Sequence, residues 1–139
     1  MRLALNEFLP DCRYFVWKEV LWLSRWELAA FPDEEKISWN LVKITRKLDI
    51  IRRDLGRSVR ITSGWRPPKY NKEIGGALKS YHMRGMALDF QVANMTTVDV
   101  RKILFPRLGE LGLRMEKHWG DWMHIDTGEP GPSGRYFQP

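Results

Sequence analysis

The sequence predicts a single α+β domain, and the order of its predicted elements is the main reason. Helical patterns come first along the chain, and short strands with one more helix follow them, an order typical of α+β proteins. The length of 139 residues suits one domain with a single core. Hydrophobic residues make up 43% of the chain and charged residues 29%, which is an ordinary globular balance rather than a disordered one.

A tryptophan-rich helix is predicted near the N-terminus, over residues 14–30. It carries Trp17, Trp22 and Trp26, and we expect their rings mainly to pack into the core. The alternative is an exposed aromatic surface that faces a substrate or a partner. Charged residues interrupt this apolar stretch, so it suits neither a secretory signal nor a transmembrane segment. We therefore expect synthesis in the cytoplasm without a signal peptide.

The second predicted helix is the clearest periodic segment of the chain. Its apolar residues form one stripe at alternating intervals of four and three: Ile37, Leu41, Ile44, Leu48, Ile51 and Leu55. Asp33 is the predicted N-cap and Gly56 the predicted C-cap. Basic residues lie off the stripe: Lys43, Arg46, Lys47, Arg52 and Arg53. A solvated helix face is the commoner explanation of such a pattern, and we expect no nucleic-acid partner.

Short strands alternate with connections in the rest of the chain. The predicted strands cover residues 59–62, 86–92, 113–117 and 122–126. SGWRPP, residues 63–68, is a predicted turn, and KYNKEIGGA, residues 69–77, is a short helical or looped connection. A further helix starts at Thr96 or Thr97 and runs toward Gly112, with Pro106 bending or dividing it. The tail from residue 127 onward is expected to be loop-like.

Composition limits the partners and the redox chemistry. The formal net charge of +6 favours contact with anionic partners such as nucleic acid, a membrane surface or an acidic cell envelope, and it does not choose among them. Cys12 is the single cysteine, so an internal disulfide and a cysteine-based zinc cluster are excluded. We expect Cys12 to be a buried, unreactive thiol.

Two of the predicted strands place possible metal ligands on a polar face. Alternation puts Asp89 opposite the apolar residues of its strand, and it does the same for His124 and Asp126. His82 lies seven residues before Asp89, and the chain has three histidines. Two imidazoles and one carboxylate are a known ligand set for catalytic zinc. Asp121, three residues before His124, could act as general base on the attacking water without ligating the metal.

Each of these residues also has an ordinary explanation. An aspartate on an exposed strand face is commonly only solvated, and a single histidine is commonly structural. Spacing alone therefore leaves both a metal site and a structural role open.

Three segments of the chain match short sequence motifs. SYHMRGMALD, residues 80–89, matches a Ser-x-His-x-x-Gly-x-Ala-x-Asp motif. DWMH, residues 121–124, matches a second motif, in which an acidic residue stands three before the last histidine ligand. ITSGWRPPKYN followed by GGA is similar to a Ser-Gly-Tyr-Arg segment, with Trp65 in the place of the tyrosine. Together the three segments resemble the motifs of a family of zinc peptidases that act on peptidoglycan. This family includes D-alanyl-D-alanine carboxypeptidases, vancomycin-resistance dipeptidases and phage L-alanyl-D-glutamate endolysins.

The resemblance implies a role for individual residues. The implied ligands of Zn²⁺ are His82, Asp89 and His124. Asp121 is implied to be the general base, Arg66 to bind a carboxylate or carbonyl of the substrate through its planar fork, and Ser80 to contact substrate. Some relatives carry a further histidine near the base, but the register of His118 does not match cleanly, and a surface position is its alternative.

We therefore expect one zinc peptidase domain over residues 1–139, with a family-like core at about 35–127. A small, mainly antiparallel sheet should carry helices on one side and the zinc site on the other. The expected activity is hydrolysis of a peptide bond in peptidoglycan stem peptides, of the D-Ala-D-Ala carboxypeptidase or L-Ala-D-Glu endopeptidase type. The enzyme would act on the cell wall after release, as a phage endolysin, as part of a phage particle or as a bacterial enzyme.

Two alternative functions belong to other classes. One is a zinc-containing binding module of the same fold, as in hedgehog signalling domains, and the intact Asp121 argues against it. The other is a basic, aromatic nucleic-acid-binding domain, which leaves the spacing of histidine and aspartate unexplained.

Overall fold

A five-stranded sheet and one long helix form the centre of the computed structural model, which describes residues 1–118 and 120–138. The helices are α1 (Trp17–Leu21), α2 (Glu35–Leu55), α3 (Pro68–Glu73), α4 (Thr97–Leu104) and α5 (Leu108–Leu111). The strands are β1 (Trp22–Leu23), β2 (Leu28–Ala29), β3 (Val59–Ser63), β4 (Ala87–Val92), β5 (Arg114–Glu116), β6 (Met123–Asp126) and β7 (Tyr136–Phe137). Two 3₁₀ helices cover Tyr81–Arg84 and Phe105–Arg107. The predicted α+β class is confirmed.

The sheet is mainly antiparallel, as predicted. Its strand order is β3-β4-β6-β5-β7, and β7 pairs with β5 in parallel while the other neighbours pair in antiparallel fashion. The register places Asp89 of β4 directly opposite His124 of β6, and Ala87 opposite Asp126. Residues directly opposite each other share a face of the sheet, so the side chains of Asp89, His124 and Asp126 lie close together on one face.

The apolar face of the sheet packs against α2. The stripe of α2 contributes its buried members Leu41, Ile44, Leu48 and Ile51, which share one core with Leu88, Phe90, Met123 and Ile125 of the two central strands. Fully burying one such side chain contributes about 1.5–3 kcal/mol. Side chains alternate across a strand, so burying Leu88 and Phe90 turns Asp89 to the opposite face.

The predicted helix over residues 14–30 is confirmed only for Trp17–Leu21 and is wrong for the rest of that range. Helix α1 ends at Leu21, and β1 and β2 then form an antiparallel hairpin. The turn between them contacts α3, because the Arg25 amide donates a hydrogen bond to the Tyr70 hydroxyl and the Trp26 indole donates one to Glu73. These partners are far away in sequence, so the local pattern of residues 14–30 contains no trace of them.

The three tryptophans of this segment have different environments. Trp17 is buried in the core, as predicted. The ring of Trp26 packs edge-on against Tyr70 with centroids 5.0 Å apart. Trp22 is 37% exposed, so core packing does not describe it.

Of the predictions for the start of α2, for Pro106 and for the tail, only the one for Pro106 was confirmed in full. The N-cap of α2 is Glu34 rather than Asp33, and no side-chain hydrogen bond caps it. Pro106 lies in the 3₁₀ turn that divides α4 from α5, as predicted. The tail is not entirely loop, because Tyr136 pairs with Met115 in the sheet.

Cys12 is buried, as predicted. Burial and the nearby carboxylate of Asp49 raise the pKa of its thiol to about 12. Across residues 1–118 and 120–138, no helix has both the length and the hydrophobicity that crossing a membrane requires.

Candidate active site

His82 lies in a tight turn whose ends are fixed by Ser80 and Gly85. The Ser80 hydroxyl accepts a hydrogen bond from the His82 amide at 3.2 Å. Gly85 ends the turn with a φ of 71°, and a Cβ there would lie 2.7 Å from the carbonyl oxygen of Ile37. Glycine is therefore required at this position both for its backbone conformation and for the close approach of α2.

The side chains of His82, Asp89 and His124 converge at the polar face of the sheet. The Oδ1 atom of Asp89 lies 3.1 Å from Nε2 of His82 and 2.8 Å from Nδ1 of His124. One potential ligand atom from each of the three residues lies within 4.8 Å of the other two. The three predicted ligands are thus brought together, although they come from a 3₁₀ turn and two different strands.

The remaining ring nitrogen of His82 is held by the backbone. Nδ1 of His82 lies 2.8 Å from the carbonyl oxygen of Gly64, which can only accept a hydrogen bond. Nδ1 therefore carries a hydrogen, and Nε2 is the ring nitrogen that faces Asp89. Helix α1 supports this arrangement, because the Val20 carbonyl accepts a hydrogen bond from the Trp65 amide at 2.9 Å. A Cβ at Gly64 would lie 2.2 Å from the same carbonyl oxygen.

His124 is held by a carboxylate instead. Its Nε2 lies 3.0 Å from Oδ2 of Asp126, so its Nδ1 is the nitrogen that faces Asp89. Asp126 is fully buried and pairs with Arg114, whose Nε and Nη2 lie 2.7 and 3.0 Å from its two oxygens. No role for this pair was predicted from the sequence. The signal was present in part, because His124 and Asp126 are two residues apart on one strand face.

Arg66 anchors the second oxygen of Asp89. Its Nη2 lies 3.3 Å from Oδ2 of Asp89, while its Nε donates to Ser63 and its Nη1 to Asn71. The predicted substrate residue is therefore also a support for a predicted ligand. Burial lowers the pKa of the guanidinium, against the opposing effect of Asp89.

The pKa values of the two histidines of the cluster are shifted in opposite directions. Burial lowers the pKa of His82. Burial alone would raise the pKa of Asp89, but His82 and hydrogen bonds from both rings hold it below its usual range. Burial alone would lower the pKa of His124, but hydrogen bonds to Asp126 and Asp89 raise it to about 9. A metal that binds here must displace the proton of His124.

The donor set of the cluster fits a zinc ion. Zinc in proteins accepts imidazole nitrogen and carboxylate oxygen as ligands, and catalytic sites use three protein ligands. Ligating histidines almost always donate their other N–H to a carboxylate or a backbone carbonyl. His82 and His124 each have such an acceptor, at Gly64 and Asp126.

Comparison with known proteins agrees with this arrangement. A family model described as Peptidase M15 matches residues 14–126. The chain belongs to the peptidase M15 family. This confirms the resemblance that the motifs indicated, and the matched span also includes α1 and the β1–β2 hairpin.

Curated relatives of this peptidase M15 chain include the peptidoglycan L,D-endopeptidase MepK of Escherichia coli (strain K12). The two are 35% identical over 78 residues, which cover 52% of this chain and 41% of the relative. A protein of the same name from Shigella flexneri matches with the same identity and the same coverage. The chain thus spans about two fifths of the length of these relatives.

The cluster opens into a cleft with two arms. One arm, with a volume of about 410 Å³, is lined by the three predicted ligands and by Gly75, Gly76, Ala77, Ser80 and Glu116. The second arm is lined by Ser24, Thr62, Ser63, Tyr70, Gln91 and Asp121. Arg66, Ile74, Asp89 and Trp122 line both arms, so the two arms meet beside the cluster at Asp89. Glu116 is a cleft residue that sequence analysis did not identify.

Asp121 and His118 lie beside the cleft in different ways. Asp121 is exposed in the turn before β6, lines the second arm and lies outside the three-residue cluster. His118 is half-buried, and its ring stacks on Trp122 with centroids 4.4 Å apart. Its Nδ1 accepts a hydrogen bond from the Gly120 amide at 3.0 Å. The ring of His118 therefore packs against a tryptophan of the cleft.

Proposed function

We propose that this chain is a zinc-dependent peptidase that cleaves a peptide bond in peptidoglycan stem peptides. The observation that carries the proposal is the convergence of His82 Nε2, Asp89 Oδ1 and His124 Nδ1 in a cleft of a peptidase M15 domain. The similarity to MepK, a peptidoglycan L,D-endopeptidase, supports the substrate class.

The three ligands would hold the ion, and the chemistry is divided among the surrounding residues. Zinc, when bound, would polarise the scissile carbonyl and lower the pKa of water to about 7. Asp121 is proposed to take a proton from the attacking water and deliver it to the leaving amine. Its place in the cleft and outside the cluster supports this role, because a general base has to reach the water without occupying a metal position.

Arg66 is proposed both to hold the metal ligand Asp89 in place and to bind the substrate. Its guanidinium donates to Asp89 and at the same time lines both arms of the cleft. Arginine presents five N–H donors in a fixed fork, so it can hold Asp89 and still offer donors to a substrate carbonyl or carboxylate. Ser80 lines the first arm, where a substrate contact is compatible with its hydrogen bond to the His82 amide.

We infer that an internal bond is cut rather than a terminal one. A second arm adjoins the arm that holds the cluster, at Arg66, Asp89 and Trp122, so an extended peptide has room beyond the cluster. This favours the endopeptidase type over the carboxypeptidase type, and the similarity to an L,D-endopeptidase points the same way. Wall degradation by a phage or a bacterium is the proposed setting.

The basic face of α2, which suggested the nucleic-acid alternative, is partly engaged in contacts within the fold. Several basic side chains of its polar face have partners within the fold. Arg46 pairs with Asp11 at 2.6 Å, Arg53 pairs with Asp54 at 2.9 Å, and the guanidinium of Arg52 lies 4.4 Å from the centroid of the Tyr14 ring. These contacts give the basic residues a structural role.

The decisive experiment is product analysis on defined substrates. The zinc-loaded protein is incubated with purified muropeptides, and the products are identified by mass spectrometry, with and without a chelator. We expect one stem-peptide bond to be hydrolysed, no cleavage after chelation, and recovery when zinc is added. Bound zinc without cleavage would favour the binding module instead, and a protein that binds no zinc would refute the proposal.

A further inference from the structure

Asp126 is a buried carboxylate with hydrogen-bond partners at both of its oxygens. Arg114 donates to both of its oxygens, at 2.7 and 3.0 Å. The Gly128 amide donates to Oδ1 at 3.0 Å, and Nε2 of His124 lies 3.0 Å from Oδ2. Oδ1 therefore accepts from two N–H donors, and Oδ2 accepts from one and also faces the His124 ring nitrogen. This arrangement fits an ionised carboxylate, which can only accept hydrogen bonds.

The carboxylate of Asp126 determines which nitrogen of the His124 ring carries a hydrogen and which one has the available lone pair. Because Asp126 offers no hydrogen, Nε2 of His124 must carry one. The lone pair of a neutral His124 ring is then on Nδ1, the nitrogen that faces Asp89 and the cluster. His82 uses the opposite nitrogen, because its Nδ1 donates to the Gly64 carbonyl. The two rings are thus set by two different acceptors.

Arg114 holds the carboxylate in place from the neighbouring strand. It is directly opposite Asp126 in the β5–β6 register, so the ion pair follows from the sheet itself. The guanidinium lies 4.1 Å from the ring centroid of Phe137 and 5.1 Å from that of Tyr81. Contacts on aromatic faces and two parallel hydrogen bonds restrict its orientation.

We propose that Asp126, held by Arg114, is a positioning residue that fixes His124 as an Nδ1 ligand of the metal. The inference rests on the proposed zinc site for its metal-binding consequence, whereas its claim about the hydrogen on Nε2 applies to the protein with or without metal. Partners of this kind typically change metal affinity or activity by about 10- to 100-fold when they are mutated.

The variant Asp126→Asn tests the proposal with little change of shape. An amide group carries two hydrogens on one of its ends. If that end faces Nε2 of His124, the ring must accept there, and its hydrogen moves to Nδ1, where a metal would bind. If it faces Arg114 Nε and the Gly128 amide instead, two donors lose their acceptor. Both orientations therefore disturb the arrangement that the carboxylate satisfies.

The first measurement is zinc affinity, by competition with a chromophoric chelator. We expect Asp126→Asn to bind zinc about 10- to 100-fold more weakly than the unmodified protein. Arg114→Lys keeps the charge but loses the two-pronged contact, so it should show a smaller loss in the same direction. Asp49→Asn is the matched control, because it removes a buried carboxylate that contacts backbone amides and no histidine.

The second measurement is the nitrogen-bound hydrogen of the His124 ring, by long-range ¹H–¹⁵N NMR of zinc-loaded and metal-free protein. We expect a slowly exchanging Nε2–H in both forms of the unmodified protein. In metal-free Asp126→Asn we expect this signal to be lost, because the hydrogen of the neutral ring moves to Nδ1. An unmodified protein that binds no zinc would refute the proposed function, and the NMR result would still decide this inference. Unchanged zinc affinity together with a retained Nε2–H signal in Asp126→Asn would overturn the positioning role. If Asp126→Asn does not fold, Arg114→Lys and the spectrum of the unmodified protein decide in its place.

Discussion

Two regions of the molecule bury carboxylates, and they differ in what the carboxylates contact. In the sheet site, Asp89 and Asp126 accept hydrogen bonds from histidine rings and from arginine. In the Asp49 junction, the carboxylate of Asp49 on α2 accepts hydrogen bonds from the backbone amides of Arg13 and Tyr14, at 2.9 to 3.2 Å. The first arrangement joins side chains that can ligate a metal, and the second fixes the path of the chain before α1.

Burial alone does not distinguish the two regions. Asp49 is 8% exposed and Asp89 is 7% exposed, so both carry a similar penalty for removal from water. The chemistry of the partner is what differs, because a backbone amide cannot ligate a metal and an imidazole can. A buried carboxylate becomes a candidate for function when its partners are themselves able to bind or react.

The largest expected effect follows from removing a ligand of the sheet site. His82→Ala, Asp89→Ala and His124→Ala each leave two of three protein donors, so we expect each variant to lose stoichiometric zinc and hydrolysis. Metal analysis of the purified variants and the muropeptide assay provide the two measurements. In the presence of zinc, each variant should also be less stable than the unmodified protein, because it lacks the bound metal that favours the folded state.

The control for the three ligand variants is Asp49→Asn, which should retain stoichiometric zinc under the same conditions. Zinc that stays bound in all three ligand variants would show that the cluster is not the metal site.

The polar face of the sheet could be predicted from sequence because it depends on local alternation. Apolar residues at every second position of residues 86–92 and 122–126 fix which face Asp89 and His124 occupy. The motif SYHMRGMALD then indicated the ligands. These features need neither the strand order nor the register, so they are visible in one sequence.

Features that depend on long-range pairing could not be predicted in the same way. Arg114 meets Asp126 only because β5 pairs with β6 in one particular register. The parallel pairing of β7 with β5 and the contacts of the β1–β2 turn with Tyr70 and Glu73 likewise join distant segments. No periodicity within either partner segment encodes such contacts.

The next largest effect is expected at Asp121, which separates catalysis from metal binding. Asp121→Asn keeps the size of the side chain but cannot accept a proton at neutral pH. A general base contributes about 10²- to 10⁴-fold in rate, so we expect a folded, zinc-loaded protein with kcat reduced by at least about 10²-fold. Steady-state kinetics on the identified muropeptide and metal analysis measure the two properties separately.

Asp121→Glu should retain part of the activity, because a carboxylate remains at the rim of the cleft. Full activity of Asp121→Asn would exclude this residue as the base. Loss of zinc from the same variant would place Asp121 among the ligands instead.

A moderate effect is expected at Arg66, where the sheet site meets the substrate cleft. Arg66→Lys keeps a positive charge but loses the planar fork that contacts Ser63, Asn71 and Asp89. A hydrogen bond to a charged group is worth about 1.5–3 kcal/mol, and we therefore expect kcat/KM to fall by about 10- to 100-fold. Zinc affinity should fall less, because Oδ1 of Asp89 and both histidines are unchanged. Full kcat/KM in Arg66→Ala would show that the SGWRPP segment is only a turn.

The smallest effect on zinc, and a measurable one on stability, is expected at the Asp49 junction. In Asp49→Asn one oxygen can still accept from the Tyr14 amide, so we expect the free energy of unfolding to fall by about 1 kcal/mol, and in Asp49→Ala by about 1–3 kcal/mol. Urea unfolding with an unchanged m-value measures this loss.

Removing the charge of Asp49 should also lower the pKa of Cys12 from about 12, because Asp49 disfavours the thiolate. Alkylation of Cys12 at mildly alkaline pH should therefore become faster. Zinc affinity and kcat should stay at the values of the unmodified protein. A loss of zinc in Asp49→Asn as large as that in Asp126→Asn would mean that the two buried carboxylates do not differ in the way their partners indicate.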